Sequence, residues 1–130
     1  MIKLPGATVW TLAVVLAVVF VSVGILKLHG PSALRWSERF VHWGYPAGSG
    51  SVVGAFEILA GLGVLIPKGR RAAAGILVGL MIGALGTHLV HAEFLRLMAP
   101  LVLGGLAFLV YSARPGIVGD PPPPASGQLR

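Results

Sequence analysis

The run SGSVVGAFEILAGLGVLIP, from Ser49 to Pro67, is about as long as a bilayer crossing needs, and it carries a single acid, Glu57, near its middle. An ionised carboxylate at that depth costs roughly 2.5–3.5 kcal/mol on insertion scales, so it has to pair, protonate or face a wet cavity. Gly50, Gly54, Glu57 and Gly61 recur at intervals of four, three and four, which puts them on one helical face. Small residues on a shared face mark the close approach of another helix. The spacing therefore turns Glu57 towards protein and away from lipid.

The rest of the chain has the same character. Hydrophobic residues make up 55% and charged residues 11%, outside the range of soluble domains, and 130 residues leave room for one domain. This composition predicts an integral membrane protein whose first partner is the lipid bilayer. A net charge of +6 can signal nucleic acid, but here the basic residues stand singly or in pairs between apolar runs and form no basic face. They are topology signals, and nucleic acid is excluded as a partner. With no cysteine, the chain can form no disulfide, thiol relay or thiolate metal site.

Four membrane helices are expected, at about 8–27, 49–67, 72–91 and 95–112. The fold class is thus an all-α four-helix bundle over residues 1–113, followed by a Pro/Gly-rich disordered tail at 114–130. The first apolar run follows Lys3 as a signal peptide would. It is longer than such a segment, however, and Lys27, Leu28 and His29 follow it in place of a cleavage site, so it is read as an uncleaved helix. Ala13, Ala17, Phe20, Gly24 and Lys27 share one stripe of it. Lys27 either snorkels to the interface or reaches inward to an acid.

Between the first two helices, Leu34, Trp36, Phe40, Val41 and Trp43 separate from Arg35, Glu38 and Arg39 at helical spacing. A short amphipathic helix lying in the interface is predicted there, ended by Gly44-Tyr45-Pro46. Trp36, Phe40, His42, Trp43 and Tyr45 are either headgroup anchors or a lid over a site between the helices. In the third helix Gly75, Gly79 and Gly83 read as a packing stripe, with His88 nearly opposite, so that it either meets a different neighbour or faces the interface. Pro100 falls in the early turns of the fourth helix and should loosen it locally.

Six basic residues (Lys3, Lys68, Arg70, Arg71, Arg114 and Arg130) fall on one side of this layout, against four (Lys27, Arg35, Arg39 and Arg96) on the other. That bias predicts both termini in the cytoplasm, and a bacterial cytoplasmic (inner) membrane as the location. Glu57, Lys27 and His88 then gather in the outer leaflet as the candidate catalytic residues around an outward-facing pocket. An acid, a base and an imidazole in a semi-dry pocket can move protons. The same Lys27–Glu57 pair can equally be a structural device that fixes helix register. His88, His91 and Glu93 lie close in sequence, but without the spacing of a metal site, and none is expected. No cofactor-binding motif is present.

Two sets of motifs carry a resemblance. Gly24-Ile25-Leu26-Lys27-Leu28 with Phe40-Val41-His42-Trp43-Gly44-Tyr45-Pro46 resembles the first half of a DoxX-like membrane protein. Gly54-Ala55-Phe56-Glu57-Ile58-Leu59 with Met81-Ile82-Gly83-Ala84-Leu85-Gly86-Thr87-His88-Leu89 resembles the second. The resemblance covers roughly residues 23–109. It implies a four-helix membrane domain. Small size, glycine-rich faces and the lack of a cofactor motif favour an accessory subunit tied to a redox or quinone-linked complex; no cofactor is evident in the residues, and a quinone is the candidate. The partner would be another membrane or redox subunit, or further copies of the chain. The family takes its name from a small subunit associated with a thiosulfate:quinone oxidoreductase, but the absence of cysteine sets this chain apart from direct sulfur chemistry. The rival reading is an enzyme acting on a small hydrophobic molecule, with Glu57 and His88 as the acid–base pair and Lys27 as electrostatic stabiliser. A proton-coupled transporter is disfavoured, since neither broken helices nor repeat halves are visible.

Overall fold

The computed structural model describes residues 2–115. Among them the chain is all-α apart from two three-residue strands. Strand β1 (Ile2–Leu4) leads into α1 (Gly6–Leu28), α2 (Gly30–His42), α3 (Ser49–Gly63), α4 (Arg70–Val90), a 3₁₀ turn (Phe94–Leu97), α5 (Met98–Ser112) and β2 (Ala113–Pro115). Three segments are long and apolar enough to cross a membrane: Gly6–Leu28, Arg70–Val90 and Phe94–Ser112. At 1.5 Å per residue they reach about 34, 32 and 28 Å.

The core is built from small and aliphatic residues on facing stripes. Ala13, Leu16, Ala17 and Phe20 of α1 meet Ala60 and Val64 at the end of α3, Ala74 and Leu77 of α4, and Ala107 and Val110 of α5. On the outer surface stand Val14, Val18, Ile25, Leu59, Ile82 and Val102, all exposed. So much apolar surface suits lipid and not water.

The closest contact is α1 against α3, antiparallel. A Cβ at Gly24 would lie 2.6 Å from the Gly54 carbonyl oxygen, and one at Gly54 would lie 2.9 Å from Gly24 O. The glycines of the Ser49–Pro67 run are packing residues where they face α1. Those of α4 are not. Among the described residues Gly75 meets only the ring of Tyr111, and nothing lies within 4 Å of a Cβ placed at Gly79 or Gly83. The expected packing stripe on α4 borders a hollow.

Two helix ends differ from expectation. α3 stops at Gly63, short of Pro67: Leu65 N–H donates to Leu62 O and Ile66 N–H to Gly63 O, so the chain tightens into turns. Pro67 explains this, because it disfavours helical backbone at the residue before it. Arg70 satisfies the freed Val64 carbonyl through Nε at 2.7 Å, while its guanidinium sits 4.2 Å from the Trp10 ring centroid. The fourth expected helix is split into the 3₁₀ turn and α5. Pro100 is the third residue of α5, where its missing N–H has no intrahelical partner to lose, so the α-helix begins just before it and is not loosened midway.

β1 and β2 pair in parallel, with Lys3 opposite Arg114. The pairing takes in Arg114 and Pro115, which composition placed in the tail. The remainder of that tail, 116–130, lies outside the described residues.

Candidate functional site

A cavity of about 460 Å³ opens among all five helices. Its walls are apolar for the most part: Phe20 and Val23 of α1, Phe40 of α2, Val53 of α3, Met81 of α4, Leu103 of α5. It exists partly because α4 presents Gly79 and Gly83 where larger side chains would fill the space.

Lys27 and Glu57 form one polar station on its wall. Lys27 stands level with Gly54, and the missing side chain there leaves room for its stem to run one turn inward. Nζ then donates to both carboxylate oxygens of Glu57, at 2.7 and 2.6 Å. Lys27 is 6% exposed and Glu57 2%, so the ammonium points inward and does not snorkel out. The Trp36 ring lies 4.6 Å from Nζ, a cation–π contact that helps satisfy the buried charge. Both carboxylate oxygens are held by one donor, so this pair is closed upon itself.

His88 belongs to a second station. Its Nδ1 lies 2.7 Å from Oε2 of Glu93, and its ring packs edge-on against Trp43, with centroids 5.4 Å apart and planes at 87°. Arg96 donates to the other oxygen of Glu93 at 3.2 Å. The hydrogen bond from His88 is the main reason Glu93 sits below the usual carboxylate range; desolvation, the next largest effect, opposes it, and the Arg96 charge adds to the lowering. Next to this, Tyr45 and Thr87 share a hydrogen bond at 2.6 Å. The Thr87 hydroxyl already donates to Gly83 O, so Tyr45 is the donor between them.

Backbone geometry delivers both partners. After α2, Gly44 adopts φ +88°, Gly44 N–H donates to Val41 O, and Tyr45 N–H donates to Phe40 O. This left-handed helix stop turns the chain back, so that Tyr45 reaches α4. α4 ends in the same way, but with Ala92 at φ 55° where glycine is usual; Ala92 N–H donates to Leu89 O and Glu93 N–H to His88 O. An alanine held there costs of order 1 kcal/mol, and the result is a carboxylate folded back onto the imidazole five residues earlier.

The three residues singled out in the sequence therefore line one cavity but belong to two separate pairs, Lys27–Glu57 and His88–Glu93, and among the described residues no hydrogen bond joins His88 to Glu57 or Lys27. Trp36, Phe40, Trp43 and Tyr45 line the cavity as well. His42 does not: Trp36 and Phe40 lie on the inner face of α2, Trp43 just past its end continues that face, and His42, two residues past Phe40, falls on the exposed side. Sequence reasoning passed over Thr87 and Glu93 as site residues. Glu93 lies five residues after His88, beyond a helix end, where helical spacing gives no signal. Among the described residues no three His, Asp or Glu side chains come together as a metal site requires.

Long apolar helices with lipid-type outer faces around a mostly apolar cavity define an integral membrane protein. Over residues 11–110 the chain matches the family described as DoxX-like, and it belongs to that family. No curated protein and no solved structure matches it.

Proposed function

We propose that this protein is a four-span bundle of a bacterial cytoplasmic membrane that holds a small, largely apolar molecule with a polar head, serving as an accessory subunit of a redox-linked complex. A quinone is the ligand class that the family resemblance favours. The cavity is the observation that carries this: about 460 Å³, within the range of small-molecule sites, apolar along its walls and polar at Lys27–Glu57, Tyr45–Thr87 and His88. A subunit serving only to pack against partners has no need of such a space.

The fourth crossing would be α3. Its 15 residues reach about 22 Å, and the turns through Pro67 extend it. It packs along α1 from Gly54 to Gly61, so it descends as deep as that stretch of α1. The β1–β2 pairing supports an even number of crossings, because it sets the two ends of the bundle side by side. α2 would lie in the outer interface as a lid, with Trp36, Phe40 and Trp43 turned inward. Single cysteines replacing Glu38 and Lys68, in a chain that has none of its own, should label from opposite sides of intact cells, Glu38→Cys from outside. Labelling of both from one side would remove the four-span arrangement.

Trp36 and Trp43 line the cavity, whereas Trp10 stacks on Arg70 and lines no part of it. Duroquinone added to protein in lipid nanodiscs should quench Trp36 and Trp43 saturably in a Trp10→Phe variant. A variant retaining only Trp10 should show collisional quenching alone. If quenching stays linear in both, the cavity is not a quinone site.

An enzymatic reading also has support in one observation. His88, held through Nδ1 by Glu93, is oriented as general bases are. Lys27–Glu57 suits that role less, being closed on itself.

A further inference from the structure

His88 is a cavity-lining group whose hydrogen-bonding character can change, and its surroundings fix how. Glu93 is ionised over the ordinary pH range and offers only lone pairs, so His88 Nδ1 has to carry the hydrogen between them. A neutral imidazole has one N–H, which leaves Nε2 with a bare lone pair. Among the described residues nothing is bonded to Nε2, and it is not a buried orphan. Trp43 against the ring, Arg96 on the second oxygen of Glu93 and the left-handed turn at Ala92 all oppose a ring flip.

We propose that His88, gripped by Glu93, makes the cavity choose its ligand by protonation: a hydroxyl donor when the imidazole is neutral, a carbonyl acceptor once it is charged. This rests on the reading of the cavity as a ligand site. In the neutral ring Nε2 accepts from a phenolic or hydroquinone hydroxyl. When a proton from water adds at Nε2, the Nδ1–H bond to Glu93 stays and Nε2–H becomes a donor, which suits a quinone or ketone oxygen. Apolar walls sharpen the choice, because an unmatched polar head is costly there.

Other charges near His88 leave this switch in place. Arg96, on the 3₁₀ turn, acts through Glu93; Trp43, the residue that caps α2, is neutral; Tyr45, from the turn after α2, is occupied with Thr87. His91, just past the end of α4, spends Nδ1 on Thr87 O, and Lys27 and Glu57 across the cavity neutralise one another. A hydroquinone and its quinone differ in just this donor–acceptor property, so the site would sort the two oxidation states of one molecule by pH without taking part in their redox step.

The test uses two redox-inert probes of one skeleton, 4-butylphenol as donor and 4-butylanisole as acceptor only, titrated into histidine-¹⁵N-labelled full-length protein in nanodiscs. Binding is read from the His88 imidazole resonances, assigned by their loss in His88→Gln. Over a titration from about pH 8 to about pH 5.5, the phenol should bind roughly five- to tenfold tighter than the ether wherever these resonances report a neutral imidazole, the worth of about one net hydrogen bond, and the ratio should fall to one or invert where they report a charged one. In Glu93→Gln, whose amide accepts either imidazole tautomer, the ratio should lose most of its pH dependence while the imidazole remains. A native ratio that is flat across this range overturns the assignment and leaves the apolar ligand site standing. Failure of both probes to bind also overturns it, and the ligand reading falls with it only if duroquinone quenching is unsaturable too.

Discussion

Replacing Lys27 by methionine should destabilise the protein by about 3–5 kcal/mol for as long as Glu57 stays ionised, because the change strands a buried carboxylate with no other donor among the described residues. Methionine keeps most of the stem's volume, so the loss isolates the charge together with its contact to Trp36. Glu57→Gln should be much milder. The amide keeps the shape, and the freed ammonium can swing outward, since Lys27 stands in the last turn of α1. The double variant, with neither charge, should recover most of what Lys27→Met loses. Unfolding in mixed micelles, read by the loss of helical circular dichroism, gives the three numbers. If Lys27→Met proves no worse than Glu57→Gln, the pair does not hold α1 to α3.

Gly24→Ala should cost about 1–3 kcal/mol or more, a large effect for one methyl group. The new Cβ would lie 2.6 Å from a backbone oxygen and 2.7 Å from Ile58 Cγ1, and the backbone oxygen cannot turn aside as a flexible side chain would. α1 and α3 would have to separate, and the Lys27–Glu57 contact, formed next to that crossing, would lengthen with them. Gly79→Ala and Gly83→Ala supply the contrast. Both positions have open space for a Cβ, and alanine is the better helix former by roughly 0.8–1 kcal/mol, so stability should hold or rise. Their effect should instead appear as weaker saturable quenching by duroquinone, because both residues border the cavity. The same micelle unfolding experiment applies. Equal losses at Gly24 and Gly79 would mean that the close approach of α1 and α3 is not what the glycines serve.

Much of this protein could be read from local pattern. Run length and the near absence of charge predict apolar helices, and they require no knowledge of neighbours. The interval of three between Gly54 and Glu57 places the acid on the face that a second helix approaches, because helical geometry alone decides which residues share a face. Motif order carries the family. What the chain could not disclose is which surfaces meet. Gly54 and Gly79 look alike in sequence, yet one is pressed against α1 and the other faces a hollow, because that depends on where the opposing helix lies. Glu93 offers no helical signal, since its place on His88 comes from a left-handed alanine beyond the helix end. His42 looked equal to its aromatic neighbours until α2 presented one face inward and left it on the other. Periodicity and cost of burial act within one segment and are written in it; the cavity and its two polar pairs arise between segments, where only packing sets the distances.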